Sequence, residues 1–259
     1  MDDIWAISYA IARSDLFSIR MVLTGSFNTT GRAQVAAQFL ERLGRSDIPV
    51  GIGLHTPPNP GLQGGVGPEW PWAATYNLAA YPGVVEKDGV GALRRELEAA
   101  TPESPLWILG IGPYTNIAAV IGKRPDLARN ARFLTMGGSV AIGYDGSPPV
   151  VAEYNVVTDI PAAQTVFSAP WQMPIVVAPL DTTLFFQVRD SGRRNAIPQR
   201  CLPPLKSGRG RFCGVYACAD CRRDVQRIRQ GCRVFDAPSA KVVAGELPRL
   251  VRQRRERLG

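Results

Sequence analysis

The sequence has 259 residues, of which 45% are hydrophobic, and this is enough apolar material for one large domain or two small ones. No apolar run reaches the roughly 18 residues that a membrane-spanning helix needs, which excludes an integral membrane protein of the helical class. The chain opens on Met1-Asp2-Asp3, without the basic segment and apolar core of a secretory signal. The sequence therefore predicts a soluble, cytoplasmic protein.

The charge is distributed unevenly along the chain. Residues 1–185 carry 12 Lys and Arg against 16 Asp and Glu, a net charge of −4. Residues 186–259 carry 18 against 6, a net charge of +12, and they also hold all five cysteines. This change in composition predicts a folded domain over residues 1–185 and a basic, Cys/Arg-rich tail over residues 186–259 that is divergent or disordered.

Helical and extended patterns alternate along residues 1–185. Helices are predicted over residues 4–13, 31–44, 89–100 and from residue 115 onwards, most clearly over 31–44, where apolar residues recur with a period near 3.6. Short apolar runs predict strands over residues 17–23, 48–52, 105–112, 132–137 and 173–180. Residues 56–84 are rich in Pro and Gly, and they predict a long loop that contains Trp70 and Trp72.

Continuous apolar strands that alternate with helices indicate an α/β fold, here an open, mostly parallel sheet with helices on both faces. In such sheets ligands bind outside the carboxyl ends of the strands. Glycines and small polar residues collect at four of these ends, in residues 25–28, 112–116, 136–138 and 181–183. We therefore predict a binding site at this edge of the sheet. Asp181 has two interpretations there, of which ordering the strand end is favoured over binding a metal.

A carboxylate and an amide stand two residues apart in the apolar stretch "VVAEYNVVTDIPAA" at residues 150–163. In an extended segment Glu153 and Asn155 would point to the same side. Asp159 and Pro161 then predict the start of a helix, because Pro is favoured in the first turn. A buried Glu–Asn pair is either a satisfied structural network or part of a binding site, and the surrounding motifs favour the site.

Three motifs follow one another along residues 2–185: Gly112-Pro113-x-Thr115-Asn116, Met136-Gly137-Gly138, and Ala152-Glu153-Tyr154-Asn155 with Asp159-x-Pro161-x-Ala163. Together they resemble the inosine–uridine preferring nucleoside hydrolase family. The resemblance implies a Rossmann-like α/β fold and hydrolysis of the N-glycosidic bond of a ribonucleoside, a small-molecule substrate. It also implies one bound Ca²⁺, which holds the attacking water and the ribose 2′- and 3′-hydroxyls, and the possibility of a homo-oligomer.

The resemblance assigns roles to individual residues. Ribose contacts are implied for Asp2, Asn28, Met136, Glu153 and Asn155. Calcium ligands are implied for Asp3, for the backbone carbonyl of Thr115 and for Asp236. The assignment suits the chemistry, because carboxylate and amide oxygens stabilise the positive charge of an oxocarbenium-like state, and Ca²⁺ prefers oxygen ligands.

The sequence also departs from the family pattern. That pattern begins Asp-x-Asp-x-Gly-x-Asp-Asp, and this chain begins at the final Asp-Asp, so the general base would lie upstream of Met1 and no catalytic residue is assigned. Ser147 stands near the usual Asn, and Phe235 stands where a His precedes the last metal ligand. The sequence therefore leaves two interpretations: an active hydrolase, or a catalytically inactive or truncated relative that keeps a weak ribose site.

The basic tail supports only weaker hypotheses. The spacing of Cys213, Cys218, Cys221 and Cys232 is compatible with a zinc or an iron–sulfur site, but nothing else in the tail favours either. A net charge of +12 would suit nucleic acid, yet the tail has no aromatic interleaving and no recognisable module. Nucleic-acid binding is therefore the least favoured function.

Overall fold

The computed structural model of the protein describes residues 2–55 and 69–185. Within them the helices are α1 (Asp2–Ala12), α2 (Thr29–Arg42), α3 (Trp70–Ala73), α4 (Gly89–Ala99), α5 (Thr115–Ile121), α6 (Tyr154–Val157), α7 (Ile160–Ser168) and α8 (Leu180–Thr183). The strands are β1 (Val22–Leu23), β2 (Val50–Gly51), β3 (Val85–Glu86), β4 (Leu106–Gly110), β5 (Ala131–Met136) and β6 (Val176–Ala178). The predicted boundary near residue 185, the cysteines and Asp236 involve the tail, which lies outside the described residues.

The strands form two parallel, three-stranded sheets. In the first sheet β2 lies between β1 and β3, and in the second β5 lies between β4 and β6. Every pairing within them is parallel, and the longest aligns Leu106 with Ala131 and Gly110 with Thr135. Helices separate the strands along the chain, so the predicted α/β fold with a mostly parallel sheet is confirmed.

Helix boundaries follow local capping residues. Asn28 accepts from the backbone N–H of Gly31 at the start of α2, and Asp88 accepts from that of Gly91 at the start of α4. Asp159 accepts from the N–H of Ala162 at the start of α7, so the helix predicted there is confirmed. A capping oxygen satisfies one of the backbone donors that every helix leaves free at its first turn.

Each sheet contributes to its own cluster of buried apolar residues. The larger cluster joins α4, α5, β5 and α7, with Leu97, Ile121 and Phe133 among its most buried members. The smaller joins α1, α2 and β2, with Leu40, Ile48 and Val50 fully buried. Each cluster packs against one of the two sheets, and polar residues lie at the carboxyl ends of the strands.

One face of the second sheet is buried, and the other carries exposed apolar side chains. Phe133 is 2% exposed on the inner face, whereas Trp107 is 60% and Leu109 57% exposed on the other face. Val176 is aligned with Leu109 through Leu134, lies on the same outer face and is 58% exposed. The guanidinium of Arg132 lies 5.1 Å from the Trp107 ring centroid and partly covers it.

The described residues correct two sequence interpretations. The predicted strand over residues 17–23 shortens to Val22–Leu23, because Arg20 lies at the surface and pairs with Glu96. The predicted loop over residues 56–84 is wrong for its second half, which contains α3 and a short 3-10 helix over Leu78–Ala80.

Three contacts with α2 explain why the segment after residue 68 is structured. Arg42 lies 5.2 Å from the Trp72 ring centroid, and Tyr76 donates to Glu41 over 2.6 Å. Gln34 donates through Nε2 to the carbonyl of Tyr76, also over 2.6 Å. These side chains hold the segment against α2, and residues 56–68 lie outside the described part of the chain.

Candidate functional site at the carboxyl end of β5

Glu153 is 3% exposed, and its carboxylate accepts three backbone N–H groups. Gly138 N lies 2.9 Å from Oε2, Asn155 N lies 2.9 Å from Oε1, and Val156 N lies 3.2 Å from Oε2. Glu153 therefore caps the short helix α6, with φ −71° and ψ 143°. The prediction that Glu153 and Asn155 share one extended segment is wrong, because the N–H groups of Asn155 and Val156 start a helix directly after Glu153.

Asn155 lies beside Glu153 in the first turn of α6 and is 8% exposed. Its Nδ2 donates to the backbone carbonyl of Met136 over 3.2 Å and lies 3.4 Å from the Met136 sulfur. Met136 is the last residue of β5, and Gly138 follows two residues later. The predicted ribose-binding residues Met136, Glu153 and Asn155 are therefore brought together at one strand end.

The turn after β5 has little space around it. Gly138 has φ +81°, a left-handed conformation that strongly favours glycine. A Cβ placed on Gly137 would collide with the hydroxyl oxygen of Tyr114 and would lie 3.4 Å from Oε2 of Glu153. The Tyr114 side chain is completely buried, and burial raises the pKa of its hydroxyl, which therefore stays protonated.

Asp181 fixes the loop that connects this turn to Glu153. Its carboxylate accepts from the backbone N–H groups of Val140 and Ala141, each over 2.8 Å. Those two bonds lower the pKa of Asp181. At the other end of the loop, Tyr144 accepts through its hydroxyl from the N–H of Tyr154 over 2.8 Å. Asp181 thus orders the strand end, which is the favoured one of its two interpretations.

Two consecutive residues at the start of α5 make long-range bonds. Thr115 donates through Oγ1 to Oδ2 of Asp159 over 2.7 Å, which ties α5 to the start of α7. Asn116 is 6% exposed, donates to the carbonyl of Thr24 over 3.0 Å and accepts from the N–H of Leu54 over 2.8 Å. The segment 112–116, which follows β4 of the second sheet, is therefore bonded to the segments that follow β1 and β2 of the first sheet.

The fold agrees with that of solved proteins to which the chain is similar. The family model described as inosine-uridine preferring nucleoside hydrolase matches residues 1–255. The chain belongs to the nucleoside hydrolase family. The match also runs past residue 185, into the basic segment in which the sequence motifs showed no resemblance.

Curated and solved relatives agree with the family assignment. The pyrimidine-specific ribonucleoside hydrolase RihA of Escherichia coli O1:K1 is 31% identical over 213 residues, which are 76% of this chain and 63% of that protein. The chain thus spans about 63% of the length of the curated relatives it matches. Two solved structures share the fold. An inosine-guanosine nucleoside hydrolase has a TM-score of 0.55 at 20% identity over 71% of this chain and 60% of that one. The inosine-uridine preferring enzyme of Bacillus anthracis has 0.54 at 16% identity, over 73% and 64%.

The other residues of the nucleoside hydrolase pattern lie on other elements of the fold or outside the described residues. Asn28 is exposed and caps α2, where its Oδ1 accepts from Gly31 N over 2.9 Å. Asp2 and Asp3 begin α1, whose Ile7 and Ile11 pack in the smaller cluster. Asp236 lies outside the described residues. Their roles, like that of the Thr115 carbonyl, remain predictions.

Ser147 shows how this chain differs from the family pattern in the segment that precedes Glu153. The Ser147 hydroxyl donates to Oδ2 of Asp145 over 2.8 Å, and its backbone N–H donates to Oδ1 over 3.1 Å. Both residues are exposed, so the serine closes a turn on the surface of the loop. The amide that the family pattern places here therefore has no counterpart in the Ser147 side chain.

Sequence reasoning missed Tyr114, which lies against Gly137, and Tyr144, whose hydroxyl accepts from the N–H of Tyr154 next to Glu153. Tyr114 is the variable position of the Gly-Pro-x-Thr-Asn motif, and Tyr144 lies in the loop between two motifs. An aromatic residue inside a glycine-rich strand-end motif is a signal for Tyr114. Nothing in the local sequence indicates Tyr144, because its partner is ten residues away.

Among residues 2–55 and 69–185, no helix combines the length and apolar character needed to cross a bilayer.

Proposed function

We propose that this chain hydrolyses the N-glycosidic bond of ribonucleosides and gives free base and ribose. Membership of the nucleoside hydrolase family supports the reaction class. The observation that carries the proposal for this chain is the grouping of Met136, Glu153 and Asn155 at the carboxyl end of β5, where parallel α/β sheets bind their ligands.

Glu153 and Asn155 retain polar capacity for a sugar. A carboxylate offers about four lone-pair positions, and three backbone N–H groups occupy three of them, which leaves room for one ribose hydroxyl. Asn155 uses Nδ2 on Met136, and its Oδ1 can accept a hydrogen bond from a ribose hydroxyl. Both groups would bind hydroxyls as acceptors, in the roles that the family resemblance implies.

Charge favours the same arrangement. The bond breaks through an oxocarbenium-like state, in which positive charge develops on the ribose. A carboxylate that already lies in a buried, hydrogen-bonded position stabilises that charge without reorganising. Glu153 meets this description, since it is 3% exposed and is held by three N–H groups. In this proposal Asp2 and Asn28 complete the ribose contacts.

A calcium ion is part of the proposal through the family resemblance, with Asp3, the Thr115 carbonyl and Asp236 as its ligands. The described residues do not form such a site by themselves: within residues 2–55 and 69–185 no group of three or more His, Cys, Asp or Glu side chains could hold a metal ion. We therefore derive no step through the cation, and Ca²⁺ dependence is left to experiment.

A second candidate is a relative that binds ribose without cleaving the bond. It is favoured by the same lack of a metal-holding cluster among the described residues, together with a strand-end site that holds Glu153 and Asn155. This candidate predicts that the chain binds ribonucleosides, releases no base and is indifferent to Ca²⁺.

The test uses the purified full chain with inosine and with uridine, first with added Ca²⁺ and then with a chelator. Base release that requires Ca²⁺ and is lost in Glu153→Ala supports the proposal. Binding without release establishes the second candidate instead. If neither nucleoside binds or is cleaved, both are wrong. Glu103→Ala is the matched control, because Glu103 is an exposed carboxylate in the turn before β4.

A further inference from the structure

Tyr114 is a buried hydroxyl at the carboxyl end of the second sheet to which no role has been assigned. It immediately precedes α5, and its ring packs edge-on against Phe133 of β5 and Phe167 of α7, with centroids 6.2 and 5.3 Å away. The ring is therefore held on two sides by different elements. This leaves the hydroxyl little freedom to move.

The hydroxyl lies directly under the turn that follows β5. Thr135 lies in β5, and its Oγ1 is within hydrogen-bonding distance of the Tyr114 hydroxyl oxygen, 3.3 Å away. That oxygen is so close to Gly137 that a Cβ there would collide with it. Gly137 is also buried, so the backbone of the turn packs against the hydroxyl oxygen of Tyr114.

The same short stretch of backbone holds both predicted ribose-binding side chains. On one side of Gly137, the Met136 carbonyl accepts from Asn155 over 3.2 Å. On the other side, Gly138 N donates to Glu153 over 2.9 Å. The position of this turn relative to Tyr114 therefore determines where the side chains of Glu153 and Asn155 lie.

We propose that Tyr114 is a positioning residue for ribonucleoside binding, because its hydroxyl sets the position of the Met136–Gly138 turn and thereby aligns Glu153 and Asn155. This inference rests on the proposed function of that site. The Tyr114 hydroxyl does not need to touch the substrate. It acts through the backbone, which transmits its position to two side chains at once.

Tyr114→Phe tests the inference, since it removes the hydroxyl and keeps the ring contacts with Phe133 and Phe167. In the full chain, we expect the Kd for inosine and for uridine, measured by titration calorimetry, to rise about three- to tenfold, as expected for the loss of one buried hydrogen-bonding group. Urea unfolding measured on the same variant reports the accompanying loss of stability.

Tyr81→Phe is the matched control. Tyr81 is also buried, and its hydroxyl donates to the carbonyl of Ile48 over 2.8 Å in the other half of the molecule. It should lose stability to a similar degree and bind nucleosides with unchanged Kd. A purely structural role for Tyr114 would make the two variants behave alike.

Gly137→Ala supplies a second readout that does not depend on catalysis. In the wild-type background its Cβ collides with the Tyr114 hydroxyl, and both stability and nucleoside affinity should fall. In the Tyr114→Phe background the nearest ring carbon is 3.4 Å away, a tight but possible contact, so the added methyl should do less harm. The two substitutions should therefore be strongly non-additive.

The outcomes separate this inference from the function on which it rests. A raised Kd in Tyr114→Phe alone, with non-additivity at Gly137, supports the positioning role. Nucleoside binding by the wild type with equal Kd in Tyr114→Phe and Tyr81→Phe overturns the positioning role and leaves the proposed function standing. A wild-type chain that binds no ribonucleoside overturns both.

Discussion

The Asn116 side chain donates to the backbone carbonyl of Thr24 over 3.0 Å, across 92 residues of sequence. Its Oδ1 accepts from the N–H of Leu54 over 2.8 Å, so one amide joins the segments that follow β1 and β2 to the start of α5. Gly53 lies so close that a Cβ there would fall 2.5 Å from Asn116 Nδ2. Asn116 is therefore a fixed link between the half with β1–β3 and the half with β4–β6.

Asn116→Ala should destabilise the fold strongly. It leaves the buried Thr24 carbonyl and the partly buried Leu54 N–H without their partner, and a buried unsatisfied group costs about 1–3 kcal/mol. We expect the free energy of unfolding in urea to fall by about 2–4 kcal/mol. Asn77→Ala is the control, because Asn77 is an exposed cap whose side chain accepts from Ala79 N, two residues away. Equal losses in the two variants would contradict the role of Asn116 as a link.

Glu153 should be sensitive to the loss of its charge and not only to the loss of its size. Glu153→Gln keeps one oxygen acceptor but removes the charge that strengthens three N–H bonds. We expect the free energy of unfolding to fall by about 1–3 kcal/mol and the affinity for ribonucleosides to fall with it.

The measurement for Glu153→Gln is urea unfolding together with calorimetric binding of uridine. Glu103→Gln, at an exposed carboxylate, should change neither quantity. If Glu153→Gln loses stability and keeps full affinity, Glu153 is a helix cap and has no part in binding.

Acid should release the loop that Asp181 holds. Hydrogen bonds from Val140 and Ala141 lower the pKa of Asp181 below its ordinary value of 3.8. A lowered pKa in the folded state means that the ionised carboxylate contributes stability above 3.8, and that this contribution is lost as the pH falls through the lower folded-state pKa. The loop should therefore keep its bonds at neutral pH and lose them only in strong acid.

Nuclear magnetic resonance can follow this loss through the amide protons of Val140 and Ala141 in an acid titration. Both signals should shift together at a pH below 3.8 in the wild type and lose that shift in Asp181→Asn. Asp145→Asn is the control, because Asp145 lies in the same loop and its pKa is lowered by Ser147 instead. Unchanged titration in Asp181→Asn would assign the shift to another group.

Local sequence signals are sufficient for the starts of α4, α5 and α7, because their determinants lie within a few residues, whereas α1 and α2 begin two residues earlier than predicted. Asp159 caps a helix through Ala162, three residues away, and the cap was recognisable with Pro161 in the first turn. The strand ends were identified for the same reason, since glycines and small polar residues follow apolar runs. The sequence therefore located the candidate site on the fold.

The sequence could not show how that site is held together. Asn116 bonds to Thr24, which lies 92 residues earlier in the sequence. Tyr114 lies against Gly137 because β4 and β5 pair in register. The extended segment predicted through Glu153 and Asn155 is wrong, because the Glu153 carboxylate binds the N–H groups of Asn155 and Val156 in α6 and that of Gly138 in a distant turn. Such contacts depend on the packing of the whole chain and leave no local pattern.

The two faces of the second sheet should respond differently to truncation. Phe133 is 2% exposed and stacks on Trp171 with ring centroids 5.1 Å apart, so Phe133→Ala leaves a cavity in the larger cluster. We expect this variant to lose about 3–5 kcal/mol in urea unfolding. Leu109→Ala, on the outer face at 57% exposure, removes side-chain atoms that are largely in water and should lose less than about 1 kcal/mol.

A loss at Leu109 as large as that at Phe133 would mean that the outer face is covered in solution, either by another part of the chain or by a second copy. Repeating the unfolding at several protein concentrations would then distinguish these two, since only a second copy makes the stability depend on concentration.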